Sequence, residues 1–136
     1  MKTATFEEIA ETFDALDDWM DRYQYLIDIG RRGPELSESE RIEENRVLGC
    51  TSRAWVVPER VDGKLRFRVD SDAAIVKGLL QVVLALYDQK TPGEILALDA
   101  GAAFQQLGLD QHLSPSRSNG LRSVVDRIRA TAFATT

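Results

Sequence analysis

The chain has 136 residues, 43% of them hydrophobic and 29% charged, the balance of one soluble globular domain over residues 1–136. Its formal net charge of -5 and pI of about 4.9 weigh against a general nucleic-acid binder. A single cysteine, Cys50, and a single histidine, His112, exclude an internal disulfide, a structural zinc site made by this chain alone and a cluster held by four thiolates.

No apolar run reaches the roughly 18 residues needed to span a bilayer. Met1 to Glu11 lacks an apolar signal core and carries three glutamates, so no membrane association and a cytoplasmic location are expected. Thr5-Phe6-Glu7-Glu8 reads as a capping box that opens a helix. Phe6, Ile9, Phe13, Leu16, Trp19 or Met20, Tyr23, and Leu26 or Ile27 then recur with a helical period. This stretch is one helix or two, since Asp14 to Asp18 offers a second start, and Gly30 is the expected stop. From Arg31 to Asn45 the periodicity disappears, and Pro34 blocks a continued helix. A long exposed connection is expected there.

Two strands follow, Thr51 to Val57 and Lys64 to Val69, with Asp62-Gly63 between them as a hairpin turn. Leu65, Phe67 and Val69 alternate with Arg66 and Arg68, and Arg46 to Gly49 offers a short third strand. Ser71 or Asp72 is placed to cap a helix to about Asp88, apolar over most of its circumference and therefore central to the core. Thr91-Pro92-Gly93-Glu94 is a second capping box, opening a helix through Leu98. Asp99 caps another ending at Gly108, and Ser114-Pro115 starts a last helix with Leu121, Val124 or Val125, Ile128 and Ala132 as its apolar stripe. The fold class is α+β, a small antiparallel sheet packed against helices.

Cys50 is the strongest nucleophile by residue type. An unperturbed thiol is only about 3% thiolate at pH 7, and Arg46 and Arg53 bracket Cys50 with positive charge that favours the reactive form. A buried, inert cysteine packed as a small hydrophobe is the competing reading. Cys50 with His112 also suggests a Cys–His hydrolase, although the local sequence supplies no third orienting group. Arg117 sits at a helix start, where the dipole is already positive. It either completes an anion site with backbone N–H groups or reaches one of the many acidic side chains. The first helical region is acidic and the last is basic, giving two solvated faces that attract each other or a docking surface.

Three co-linear motifs carry a resemblance. Val47-Leu48-Gly49-Cys50-Thr51-Ser52-Arg53-Ala54-Trp55-Val56 resembles the G-C-x-S-x-x-W segment of the SufE and CsdE proteins. Ser71 to Leu79 and Leu109 to Leu121 are similar to their second and third signatures, in the same order and spacing. The resemblance implies an IscU-like fold and a sulfur acceptor that takes a persulfide sulfur onto Cys50 from a PLP-dependent cysteine desulfurase of the SufS or CsdA type. It also implies stimulation of that desulfurase and delivery of the sulfur to a SufBCD-type scaffold. Arg117, Asp72, Ser52, Arg53 and His112 become supporting or partner-binding candidates. The PLP belongs to the partner, no cofactor is implied for this chain, and a monomer or weak dimer is expected. Thr51 and Arg53 stand where the family often has glutamines. A regulatory module that binds a desulfurase without accepting sulfur is the alternative within this resemblance.

Overall fold

The Thr5 side chain accepts the Glu8 N–H at 3.2 Å and opens α1 (Phe6–Ala15). The protein is described here from a computed structural model, which covers residues 4–48 and 52–135. Cys50 itself, the Thr51 start of the first expected strand and the Gly49 end of the third lie outside the described residues. The acidic stretch after α1 does begin a second helix. Asp18 accepts the Met20 N–H at 3.0 Å and caps α2 (Trp19–Arg32).

Gly30 does not end α2, contrary to expectation. The helix continues to Arg32 and stops at Gly33, just before Pro34. Gly30 is needed because α2 crosses α3 (Ala74–Tyr87) there: a Cβ on Gly30 would lie 2.7 Å from the Gly78 backbone nitrogen. Ridge-into-groove packing this tight requires glycine on both helices. Val76, Leu79, Leu80, Val82 and Val83 of α3 are all buried, each worth roughly 1.5–3 kcal/mol of transfer free energy. The central role read from its pattern is the observed one.

The hairpin pairs β1 (Ala54–Val61) with β2 (Lys64–Ser71), antiparallel, with Val56 opposite Val69 and Pro58 opposite Phe67. Both turn residues have positive φ, 53° at Asp62 and 77° at Gly63, the conformation of a two-residue type I′ turn. Leu65, Phe67 and Val69 are buried as the alternation predicted. The outer edge of β2 is closed by the chain leaving α3: Leu65 exchanges hydrogen bonds with Lys90 and Gln89 at 2.8 Å each, and the Phe67 N–H donates to Asp88 at 2.8 Å. On the β1 side, the expected third strand is reduced to one antiparallel bridge between Arg46 and Trp55.

Neither Ser71 nor Asp72 is the N-cap of α3. Ala73 holds that position without a side-chain bond. Ser71 Oγ accepts the Ala73 N–H at 3.2 Å from outside the helix, and the Asp72 carboxylate turns to Arg53 instead.

The second capping box is complete. Thr91 and Glu94 each satisfy the other's backbone N–H and open α4 (Pro92–Ala97). Thr91→Ala is expected to lower stability by about 1 kcal/mol, read from urea unfolding. Asp99 caps α5 (Ala100–Gln106). Gly108, at φ 76°, turns the chain into a short α6 (Leu109–His112) that no pattern announced. Ser114 caps α7 (Pro115–Ala134), whose stripe Leu121, Val124, Ile128 and Ala132 is buried. Among the described residues no ion pair joins the acidic first helices to the basic α7. No described helix is long and apolar enough to cross a membrane.

Candidate functional site

The described backbone on either side of residues 49–51 is pinned to one frame. Before them, the Val47 N–H donates to the Ala54 carbonyl at 2.9 Å. Arg127 of α7 donates to the Arg46 carbonyl at 3.2 Å and also to the carbonyl of Glu44. After them, Arg53 is held by a reciprocal clasp. Its N–H and Nε donate to the two Asp72 carboxylate oxygens at 3.0 and 3.1 Å. Its carbonyl accepts from the Ser71 hydroxyl at 2.7 Å and the Asp72 N–H at 3.2 Å. Residues 48–53 therefore link two backbone positions, Val47 and Ala54, that are bonded to each other.

Leu48 is 75% exposed, unusual for a leucine, and Ser52 is half-buried. Arg46 and Arg53, the two arginines that bracket Cys50 in sequence, are paired with Glu43 at 3.4 Å and Asp72 at 3.1 Å. The positive field expected of them is thus partly neutralised. The Arg53 guanidinium also sits 6.0 Å over the Trp55 ring.

Arg117 is the third residue of α7, and its N–H is taken by the Ser114 cap at 3.3 Å. Its exposed side chain makes no hydrogen bond or ion pair with a described residue. It borders a small apolar cleft with Val76, Leu80 and Val124. Val76 is the third residue of α3 and Asp72 lies two residues before the helix begins, so Arg117 and the Arg53–Asp72 clasp lie toward the N-terminal end of α3. His112 is placed differently. Its ring stacks on Trp19 at 3.7 Å, Nδ1 donates to the Gly108 carbonyl at 3.0 Å, and its own carbonyl accepts from the Tyr23 hydroxyl. The structure brings Arg53, Asp72 and Arg117 to one end of the molecule's central helix and ties His112 to α2.

Asp70 escaped sequence reasoning, because an aspartate near a strand end reads as surface. It is 1% exposed and anchors the long connection before the cysteine. One carboxylate oxygen accepts from the Leu36 N–H at 3.0 Å and from Arg41 at 2.7 and 3.2 Å; the other accepts from the Ser71 N–H at 2.8 Å, with Lys77 at 3.5 Å. Burial pushes its pKa up, but the Arg41, Leu36 and Ser71 hydrogen bonds and Lys77 outweigh this and hold it below the ordinary value. Its contribution to stability is therefore full above the unfolded pKa near 3.9 and is lost as pH falls through the lower native value. Asp70→Asn is expected to cost about 2 kcal/mol at neutral pH and to flatten the acid limb of the stability curve, both measured by urea unfolding against pH.

Comparison with known proteins bears on the fold and the family. The solution structure of a hypothetical protein from Thermus thermophilus superimposes with a TM-score of 0.76 over 98% of this chain and 97% of that one, at 22% identity. That likeness establishes the α+β fold. An uncharacterised SufE-like protein of Rhizobium etli is 47% identical over 133 residues, 95% of this chain and 90% of its own length. The SufE family model, described as an Fe-S metabolism associated domain, matches residues 7–132. The chain belongs to the SufE family and has a role in iron–sulfur metabolism.

Proposed function

We propose that this protein is a cytoplasmic sulfur carrier: it accepts a sulfane sulfur on Cys50 from a PLP-dependent cysteine desulfurase, stimulates that enzyme and hands the sulfur to an iron–sulfur scaffold. The observation that carries the reading is the placement of the chain's single thiol, in sequence, within a short link whose ends are both anchored. Val47 is bonded to Ala54, and Arg53 is bonded to Asp72. Such a link presents a group to a partner while its foundations stay fixed.

In the transfer, the Cys50 thiolate attacks the outer sulfur of the desulfurase persulfide. The new bond joins Cys50 Sγ to that sulfur, and the sulfur–sulfur bond in the partner breaks. The partner cysteine leaves as a thiolate, so no external oxidant or reductant enters. One thiol carries one sulfane sulfur, which suits relay over cluster assembly. Exposed Leu48 offers the desulfurase an apolar contact beside the acceptor. Arg53, Asp72, Ser52 and Arg117 are the supporting residues in this reading.

The test is intact mass after incubation with a cysteine desulfurase and cysteine, without reductant. A gain of one sulfur atom that dithiothreitol removes supports the carrier. No gain during confirmed desulfurase turnover and binding leaves a regulatory module.

A further inference from the structure

The two limbs that lead to and from residues 49–51 are held differently. On the exit side, four hydrogen bonds tie Arg53 to Ser71 and Asp72. The entry limb meets β1 in one antiparallel bridge, Arg46 with Trp55, closed by the Val47–Ala54 hydrogen bond at 2.9 Å. A lone bridge holds little against the backbone freedom of the residues it must order. The rest of the hold comes from Arg127, 81 positions after Arg46 in sequence.

Arg127 stands in the second half of α7, next to Ile128, which is completely buried, and one turn after Val124, which is 1% exposed. Its base is therefore fixed. Its Nη1 donates to the Arg46 carbonyl at 3.2 Å and its Nη2 to the Glu44 carbonyl. The two nitrogens belong to one planar, rigid fork. A fork on carbonyls two residues apart sets both the position and the direction of the chain between them. The kind of partner matters as well. Glu43 and Glu44 put carboxylates on the same segment, and Glu43 pairs with Arg46. An exposed ion pair would hold only the tip of a flexible side chain. The carbonyls belong to the backbone itself, which reaches Cys50 four residues after Arg46.

We propose that Arg127 is a positioning residue for sulfur transfer: from α7 it fixes the entry limb of the Cys50 link, so that the thiol meets the partner's persulfide at reacting distance. This role rests on the sulfur-carrier reading of Cys50. Reacting atoms must approach to about 3–3.5 Å, and a misplacement of about 1 Å can cost a hundredfold in rate. Arg127 uses both terminal nitrogens on the chain itself, so its loss slows transfer and spares binding.

The test compares the wild type with Arg127→Gln and Arg127→Lys at a temperature where urea unfolding shows all three fully folded. Single-turnover sulfur uptake from a saturating, persulfide-loaded cysteine desulfurase is followed by intact mass. Arg127→Gln is expected to take up sulfur at least about tenfold more slowly. Its calorimetric affinity for the desulfurase is expected to stay within about twofold of the wild type, and so is its alkylation by iodoacetamide, a small reagent that needs no docking geometry. Arg127→Lys, which keeps a donor at this place, is expected to recover part of the rate. Hydrogen exchange of the Val47 amide in Arg127→Gln is expected to rise at least about fivefold relative to that of Leu80 in α3, the mark of local opening. Unchanged uptake, or Val47 exchange that moves only in step with Leu80, overturns the role of Arg127 and leaves the carrier reading standing. Equal slowing of uptake and alkylation also overturns it, since Arg127 would then act on the reactivity of the thiol and not on its position. A wild type that gains no sulfur overturns the carrier reading and this role with it.

Discussion

Cys50→Ser is expected to abolish sulfur uptake completely while leaving desulfurase binding and the fold intact. Transfer needs a thiolate, and a serine hydroxyl is neither ionised near neutral pH nor soft enough to attack a sulfane sulfur. The substitution changes one atom. The bonds that hold the surrounding frame, Val47 to Ala54 and Arg53 to Asp72, are made by backbone and by other side chains. Binding therefore provides the control: calorimetric affinity for the desulfurase is expected to stay within about twofold, since the substitution exchanges one sulfur for one oxygen and leaves those bonds in place. Stimulation of cysteine turnover is expected to disappear with uptake, because it depends on removing sulfur from the partner. A serine variant that still stimulates fully would make the protein a regulator of the desulfurase.

The regular elements were legible because each rests on a local rule. The 3.6-residue stripes, the Thr91–Glu94 box, the Asp18, Asp99 and Ser114 caps and the Asp62-Gly63 turn are all set by near neighbours, and all are present. What escaped was set by tertiary contact. Gly30 looks like a stop until Gly78 is seen against it, 48 positions on. Ser71-Asp72 looks like a cap until Arg53 is brought alongside. Asp70 gives no signal, since its partners Leu36, Arg41 and Lys77 come from two separate segments. Arg127 and Arg129 look like half of a charge attraction, yet both serve backbone carbonyls of neighbouring segments. At the candidate site, the motif around Cys50 was visible as a resemblance. The clasp that fixes its exit was not, because a salt bridge 19 residues apart leaves no periodic trace.

Gly78→Ala is expected to destabilise the protein by about 3 kcal/mol, the upper part of the range for overpacking a well-filled core. Propensity alone predicts the reverse, since alanine is better than glycine in a helix by about 1 kcal/mol. Sterics decide. A Cβ on Gly78 would stand 2.1 Å from the Leu26 carbonyl oxygen and 2.5 Å from its carbon, both backbone atoms that no rotamer change can move. The helices α2 and α3 would have to part by more than about 1 Å, opening gaps around Leu26, Leu79 and Leu80, which are all essentially unexposed. Gly30→Ala meets the same crossing from the other side, and the same separation relieves it. The double variant is therefore expected to fall well short of the sum of the singles in urea unfolding. Additive losses, or a neutral Gly78→Ala, would contradict the close crossing. The displacement also reaches function: the segment leading into α3 carries Asp72, so moving the helix shifts the clasp on Arg53. Sulfur uptake in Gly78→Ala is expected to slow at temperatures where the protein is still fully folded, which separates a displaced acceptor frame from simple loss of folded protein.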